Sequence, residues 1–174
     1  MPHAEPGALP AHIDSIPGAP FTAPVPGRVM GRRSEALAGL SRDHHQALAR
    51  AITLKRANEE TAEAAWQEFH GFWREDGADH FIEEETVLLP AYAEFADPDH
   101  PAIIRMLLEH VLIRARVSEL EARAEHDAAD LNLLGQWFEL HVRLEERVLF
   151  PLIEAALPER AQAALLKRLG SEGG

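Results

Sequence analysis

A chain of 174 residues has room for one compact domain plus a tail and is too short for two domains of ordinary size. Its formal net charge of −12, with 17 Lys and Arg scattered among 29 Asp and Glu, excludes nucleic acid as a partner, because a polyanion would be repelled. No apolar run approaches the roughly 20 residues of a membrane span, and without Cys any metal must be held by nitrogen and oxygen.

Residues 1–33 hold seven of the twelve prolines, with Gly7, Gly18, Gly27 and Gly31 among them and no helical or strand periodicity. A flexible Pro/Gly-rich tail is expected there. Pro17, Pro20, Pro24 and Pro26 interrupt the one candidate for a secretory leader, so a cytoplasmic protein is expected. From Ser34 onward apolar residues recur every three or four positions, which predicts helices over about 34–57, 61–95, 101–125 and 129–156.

The first stripe runs through Leu37, Leu40, His44, Leu48 and Ala51. The second contains Trp66, Trp73, His80, Glu84, Val87 and Leu88; the third Ile103, Leu107, His110, Val117 and Leu120; the fourth Leu134, Phe138, His141, Glu145, Val148, Leu149 and Leu152. A His interrupts the middle of each. Polar or Pro-bearing breaks separate the segments at Asn58 to Thr61, Asp97 to Pro101 and Glu125 to Asp127. A short last helix is predicted from Pro158 to about Leu169, ended by Gly170. The expected fold is all-α: an antiparallel up-down-up-down four-helix bundle over 34–174, with a short C-terminal helix and the tail.

The second and fourth segments repeat one phrase. His80-Phe-Ile-Glu-Glu84-Glu-Thr-Val-Leu-Leu-Pro90 and His141-Val-Arg-Leu-Glu145-Glu-Arg-Val-Leu-Phe-Pro151 both read HxxxEExVLxP. Four residues is about one helical turn, so His and Glu project from one face roughly 6 Å apart along the axis and can grip one metal cluster. In antiparallel neighbours, residues at one height are equidistant from the turn that joins them. The midpoints between successive histidines fall at residue 62, at 95 and at 125–126, each at or beside a predicted break. His44, His80, His110 and His141 therefore meet at one level, with Glu84 and Glu145 a turn away. Four imidazoles and two carboxylates in an apolar interior are costly unless something binds them. Such ligands suit iron, zinc or manganese, and two bridging carboxylates suit a pair of ions.

On Asp43-His44, HFIEEETVLLP, Glu109-His110 and HVRLEERVLFP, the chain resembles the hemerythrin-like (HHE cation-binding) family over about residues 35–155. The resemblance implies two Fe ions with a bridging oxo or hydroxo group. It further implies that Glu84 and Glu145 bridge, with His44 and His80 on one iron and His110 and His141 on the other. The implied ligand is dioxygen, peroxide or nitric oxide, in a sensor, scavenger or store. Oxygen carriers of this family place HxxxH on the third helix, whereas here Arg114 stands four residues after His110, so reversible oxygen carriage is not expected. A diiron oxidase or oxygenase acting on an organic substrate, and a metal-dependent interaction module, are the competing readings.

Other polar residues receive plainer expectations. His45 competes with His44 as ligand, and His44 is preferred because it continues its stripe. Glu83, Glu85 and Glu146 read as a solvated acidic face, with Glu83 able to swing toward an open metal position. Arg114 reads as partner to a carboxylate near the site. His70 reads as packing; His3, His12, His100 and His126 as exposed; the three Trp as core; and Tyr92 as too remote for a role.

Overall fold

The computed structural model describes residues 34–171, so the expected tail over 1–33 and the last three residues lie outside the described residues. All described secondary structure is helical. Five helices follow in order: α1 (Glu35–Lys55), α2 (62–93), α3 (Pro101–Glu121), α4 (128–156) and α5 (Glu159–Ser171). None is long and apolar enough to cross a membrane.

Local chemistry sets the turns. Asn58 accepts hydrogen bonds on its side-chain oxygen from the Glu60 and Thr61 amides and from the Thr61 hydroxyl, which closes the α1–α2 connection. Helix α3 opens with Pro101 behind His100, whose ring accepts from the Ala102 amide, and α4 opens at Asp127, whose carboxylate accepts from the Ala129 amide at 2.6 Å. His100 is therefore half-buried rather than exposed. Helix α3 stops at Glu121, four residues short of the expected end, and α5 continues through Gly170.

The turn after α3 also corrects the expectation for His126. Its ring stacks on Trp66 at 4.7 Å, Nδ1 meets Glu63 at 2.8 Å, and Nε2–H donates to the Leu120 carbonyl at 3.1 Å. The imidazole is part of the packing. His70 lies on Trp66 as well, at 5.1 Å, in keeping with its expected role.

Helix α1 packs against α4, α2 and α5, and α3 packs against α4. Gly135 permits the close approach of α4 to α1: a Cβ there would lie 2.7 Å from the Ala51 carbonyl oxygen and 2.8 Å from the Leu54 Cβ. Two apolar clusters form. One contains Ala51, Leu54, Trp66, Phe69, Phe81, Ile113, Val117, Leu134, Trp137 and Phe138. The other contains Leu37, Leu40, Leu88, Tyr92, Met106, Leu149, Phe150, Ile153 and, from α5, Leu165. The third stripe is shifted from its expected register: Met106 and Ile113 are buried beside His110, while Leu107 is exposed.

Helices α2 and α4 are not regular throughout. Each widens into a π-turn that begins at the motif glutamate, Glu84–Leu88 and Glu145–Leu149, and α2 has a further one at Trp73–Gly77. The Leu89 amide bonds back to the Glu84 carbonyl and the Phe150 amide to the Glu145 carbonyl, five residues apart. Pro90 and Pro151 follow at once. Each lacks an N–H, so a regular α-turn could not have been completed across them, and the wider turn lies in the preceding residues.

Candidate metal centre

Buried charge is concentrated between the two apolar clusters. His44, Glu84, His110, His141 and Glu145 are each at most 2% exposed, and His80 is nearly as deep. His45 is exposed, which leaves His44 as the inward residue of the pair. The α1 spacing accounts for this: Leu37, Leu40, His44, Ala47 and Ala51 form one buried stripe, and His45 is rotated out of it.

All six residues singled out by the motif come together. The Nε2 atoms of His44 and His80 are 3.0 Å apart. One donor atom from each of His44, His80, Glu84 and Glu145 lies within 4.8 Å of all the others, and the same holds for Glu84, His110, His141 and Glu145. The two glutamates belong to both groups, and their oxygens divide between them. Glu84 turns Oε1 to His80 Nε2 at 3.4 Å and Oε2 to His110 Nε2 at 3.3 Å. Glu145 turns Oε2 to His44 Nε2 and Oε1 to His141 Nε2, both at 3.1 Å.

The outer edges of the rings are held by a second set of carboxylates. His44 Nδ1 lies 2.8 Å from Glu146, His110 Nδ1 2.7 Å from Glu85, and His141 Nδ1 3.2 Å from Glu109. His80 Nδ1 points toward Asp43 at 3.8 Å, beyond hydrogen-bond length. A carboxylate at Nδ1 keeps the proton on that nitrogen, so the Nε2 lone pair faces inward, as metal-binding histidines require. Glu85 and Glu146, expected on a solvated face, therefore orient ligand candidates. Glu109, the acid before the lone His110, holds the motif histidine of its own hairpin, and Asp43 before His44 faces His80 without reaching it, while the acid after each motif glutamate holds the lone histidine of the other hairpin. The doubled EE and the Asp-His and Glu-His pairs carried that signal.

Arg114 meets Glu85 at 2.8 Å and lies over the Phe81 ring at 5.4 Å, so it pairs with a carboxylate as expected and supports His110 through it. Phe81 also stacks on His110 at 3.7 Å, and Phe150 stacks on His44 at 5.2 Å. Glu83 is half-buried and lines a cavity of about 340 Å³ that reaches from the surface to His44, His80, His141 and Glu145.

Imidazoles and carboxylates in the cluster set one another's charge. Burial alone would drive protons off His44 and His110, but Glu145 and Glu146 beside His44, and Glu145 and Glu84 beside His110, reverse this and raise each imidazole to about 9. Burial likewise opposes the charge on His80, and the Glu84 carboxylate outweighs it and raises that pKa well above the ordinary value. Glu84 is held well below the usual carboxylate range: burial pushes it up, and His80 and His110 overcome that. Glu145 is lowered too, against burial and the repulsion of Glu84, by His141, His110 and His44.

The donor set fits a metal. Ten buried side-chain nitrogen or oxygen atoms among the described residues lack a hydrogen-bond partner, and seven belong to this cluster: His80 Nδ1, both oxygens of Glu84 and of Glu145, and Nε2 of His110 and His141. Except for His80 Nδ1, they face the centre. Donor atoms about 3 Å apart are what a cation with bonds of about 2.1 Å at right angles would impose. Leaving so many polar atoms unsatisfied in an apolar interior is otherwise expensive.

Fold and site together define an all-helical protein with a buried histidine and carboxylate cluster able to hold metal. The family model of the hemerythrin HHE cation binding domain matches residues 37–153, and the chain belongs to that family. No curated protein and no solved structure matches it.

Proposed function

We propose that the protein binds two iron ions, joined by an oxo or hydroxo bridge, in an antiparallel up-down-up-down four-helix bundle, and that it binds or reacts with dioxygen, peroxide or nitric oxide. The observation that carries this reading is the division of each motif carboxylate. Glu84 and Glu145 each turn one oxygen to the His44–His80 pair and the other to the His110–His141 pair, as two bridging ligands would. The helix pairings support the bundle: along α1, Ser34, His44 and Leu54 meet Glu154, Glu145 and Asn132 of α4, which descend as α1 ascends.

When bound, a pair of ferrous ions supplies two electrons to a small ligand. The chain's own residues do the rest. Glu85, Glu146 and Glu109 hold three of the four rings with Nε2 inward, the two apolar clusters flank the centre, and the cavity beside His80 offers a small ligand a path to it. Arg114 occupies the place of a fifth histidine and is already engaged with Glu85, so that position adds no ligand.

Air should therefore oxidise the protein without reversible oxygenation. The test is an absorption spectrum of anaerobically reconstituted ferrous protein before air, after air and after flushing with inert gas. A near-ultraviolet band that flushing leaves unchanged is expected. Repeated cycles of gain and loss of the band on admitting and removing oxygen would overturn the reading of an irreversible reaction.

A further inference from the structure

The cavity beside the cluster has a lining that the ligand set does not explain. Its lining includes Glu75, Asp76, Asp79 and Asp43, all exposed, and half-buried Glu83. Among the described residues no Lys or Arg lines it. Among the described residues Glu75, Asp76 and Asp79 have no ion-pair partner, although salt bridges are frequent elsewhere on the surface, as at Arg50–Glu68 and Arg123–Asp130. Three unneutralised carboxylates on about one turn repel one another and weaken α2. The π-turn Trp73–Gly77 contains Glu75 and Asp76, and Asp79 lies two residues beyond its end.

At the inner end of the same cavity are groups able to hold a cation. Glu145 is fully buried with neither oxygen hydrogen-bonded, and His141 is fully buried with its Nε2 also without a hydrogen bond, 3.1 Å from a Glu145 oxygen; both line the cavity. Acidic side chains therefore line the cavity from its mouth to Glu145, where they meet the imidazoles of His44, His80 and His141. Carboxylates lining a cleft with low-dielectric walls concentrate cations and raise their association rate by roughly 10- to 1,000-fold, an effect that salt suppresses.

We infer that Glu75, Asp76 and Asp79 form a cation vestibule through which a hydrated divalent metal ion reaches the buried centre, first meeting Asp43 and His80. These three side chains are not ligands of the loaded site; they set the rate of loading. The same potential disfavours anions at this mouth, so neutral small molecules pass it more readily than anionic ones of equal size. The inference rests on the metal-binding reading given above.

The test uses the full-length apo protein and cobalt(II), which is coloured when bound and inert to air on the mixing timescale. Uptake is followed by stopped-flow absorption at low and high salt for three proteins. They are the unmodified chain, Glu75→Gln/Asp76→Asn/Asp79→Asn, and the control Glu59→Gln/Glu60→Gln/Glu125→Gln, which removes the same charge at exposed turns outside the cavity. The vestibule variant should load about ten-fold more slowly at low salt and lose most of its salt dependence, while reaching the same final spectrum and stoichiometry. The control should stay within about two-fold of the unmodified chain. Asp76→Asn alone should show a smaller slowing in the same direction, which keeps the test independent of the folding of the triple variant. Equal rates in vestibule and control variants, uptake by the unmodified chain that ignores salt, or a reduced final stoichiometry in the vestibule variant would each overturn the route. Cobalt bound by all three at equal rates sinks the vestibule and leaves the metal centre standing, whereas cobalt bound by none removes both.

Discussion

The two halves of the centre are built from the same phrase and end up unequal. In the half formed by His110 and His141, both rings are fully buried and both Nδ1 atoms are held by carboxylates, Glu85 at 2.7 Å and Glu109 at 3.2 Å, with Phe81 stacked against His110. In the half formed by His44 and His80, Glu146 holds His44 equally well. Asp43, however, stands where the other half has Glu109; it is 53% exposed and stops 3.8 Å from His80. One methylene fewer leaves His80 less anchored, on the side where the cavity opens. The repeat thus supplies two equivalent histidine pairs, and the residues around them leave His80 the one ring of the four without a hydrogen-bonded carboxylate, beside a cavity that also reaches His44 and His141.

The largest effect should come from the residues the halves share. Replacing Glu84 or Glu145 by Ala should remove both ions, since each carboxylate faces both pairs; metal analysis after reconstitution should show well under one ion per chain. Retention of one full ion would mean that the halves bind independently. The outer carboxylates should separate the halves with a smaller effect. Glu109→Gln should weaken metal affinity by about 10- to 100-fold, the usual result of losing a carboxylate behind a metal-bound histidine. Asp43→Asn, which breaks no hydrogen bond, should weaken it by less than about three-fold when titrated against a competing chelator. Equal losses would contradict the asymmetry.

The smallest effect concerns the apo protein and involves one imidazole from each half. His44 and His110 have folded-state pKa values of about 9 against 6.5 for the free side chain. The folded state binds these protons more tightly, so their stabilisation is fully present below pH 6.5 and is lost as pH rises to about 9. The apo melting temperature should fall over that window. Bound metal, which takes the place of those protons at Nε2, should flatten the dependence. An apo protein whose melting temperature is constant from pH 6 to 9 would contradict the imidazolium–carboxylate pairing.

Much of the centre is legible in the sequence alone. Buried charge at a spacing of one turn, given twice, is hard to reconcile with an ordinary core, and the midpoints between histidines place the four rings at one level. The outer carboxylates were not legible in that way. Glu85 and Glu146 neighbour the motif glutamates and point to another side of their own helix. Only the presence of His110 on α3 and His44 on α1 turns that side from solvent-facing into structural. The π-turns were hidden for a related reason: a backbone bonding pattern has no side-chain periodicity, and Pro90 and Pro151 were its one trace. His126 was misjudged because a loop position says nothing about the Trp66 ring waiting across the turn.

The central claim, that two ions are held between His44–His80 and His110–His141 by shared Glu84 and Glu145, is tested most directly by anaerobic titration of the full-length apo protein with iron(II), counting bound metal per chain. Two equivalents, with the second bound no more weakly than a shared pair of carboxylates allows, is the predicted result. Saturation at one equivalent would contradict it, because one of the two histidine pairs would then have no ion to hold.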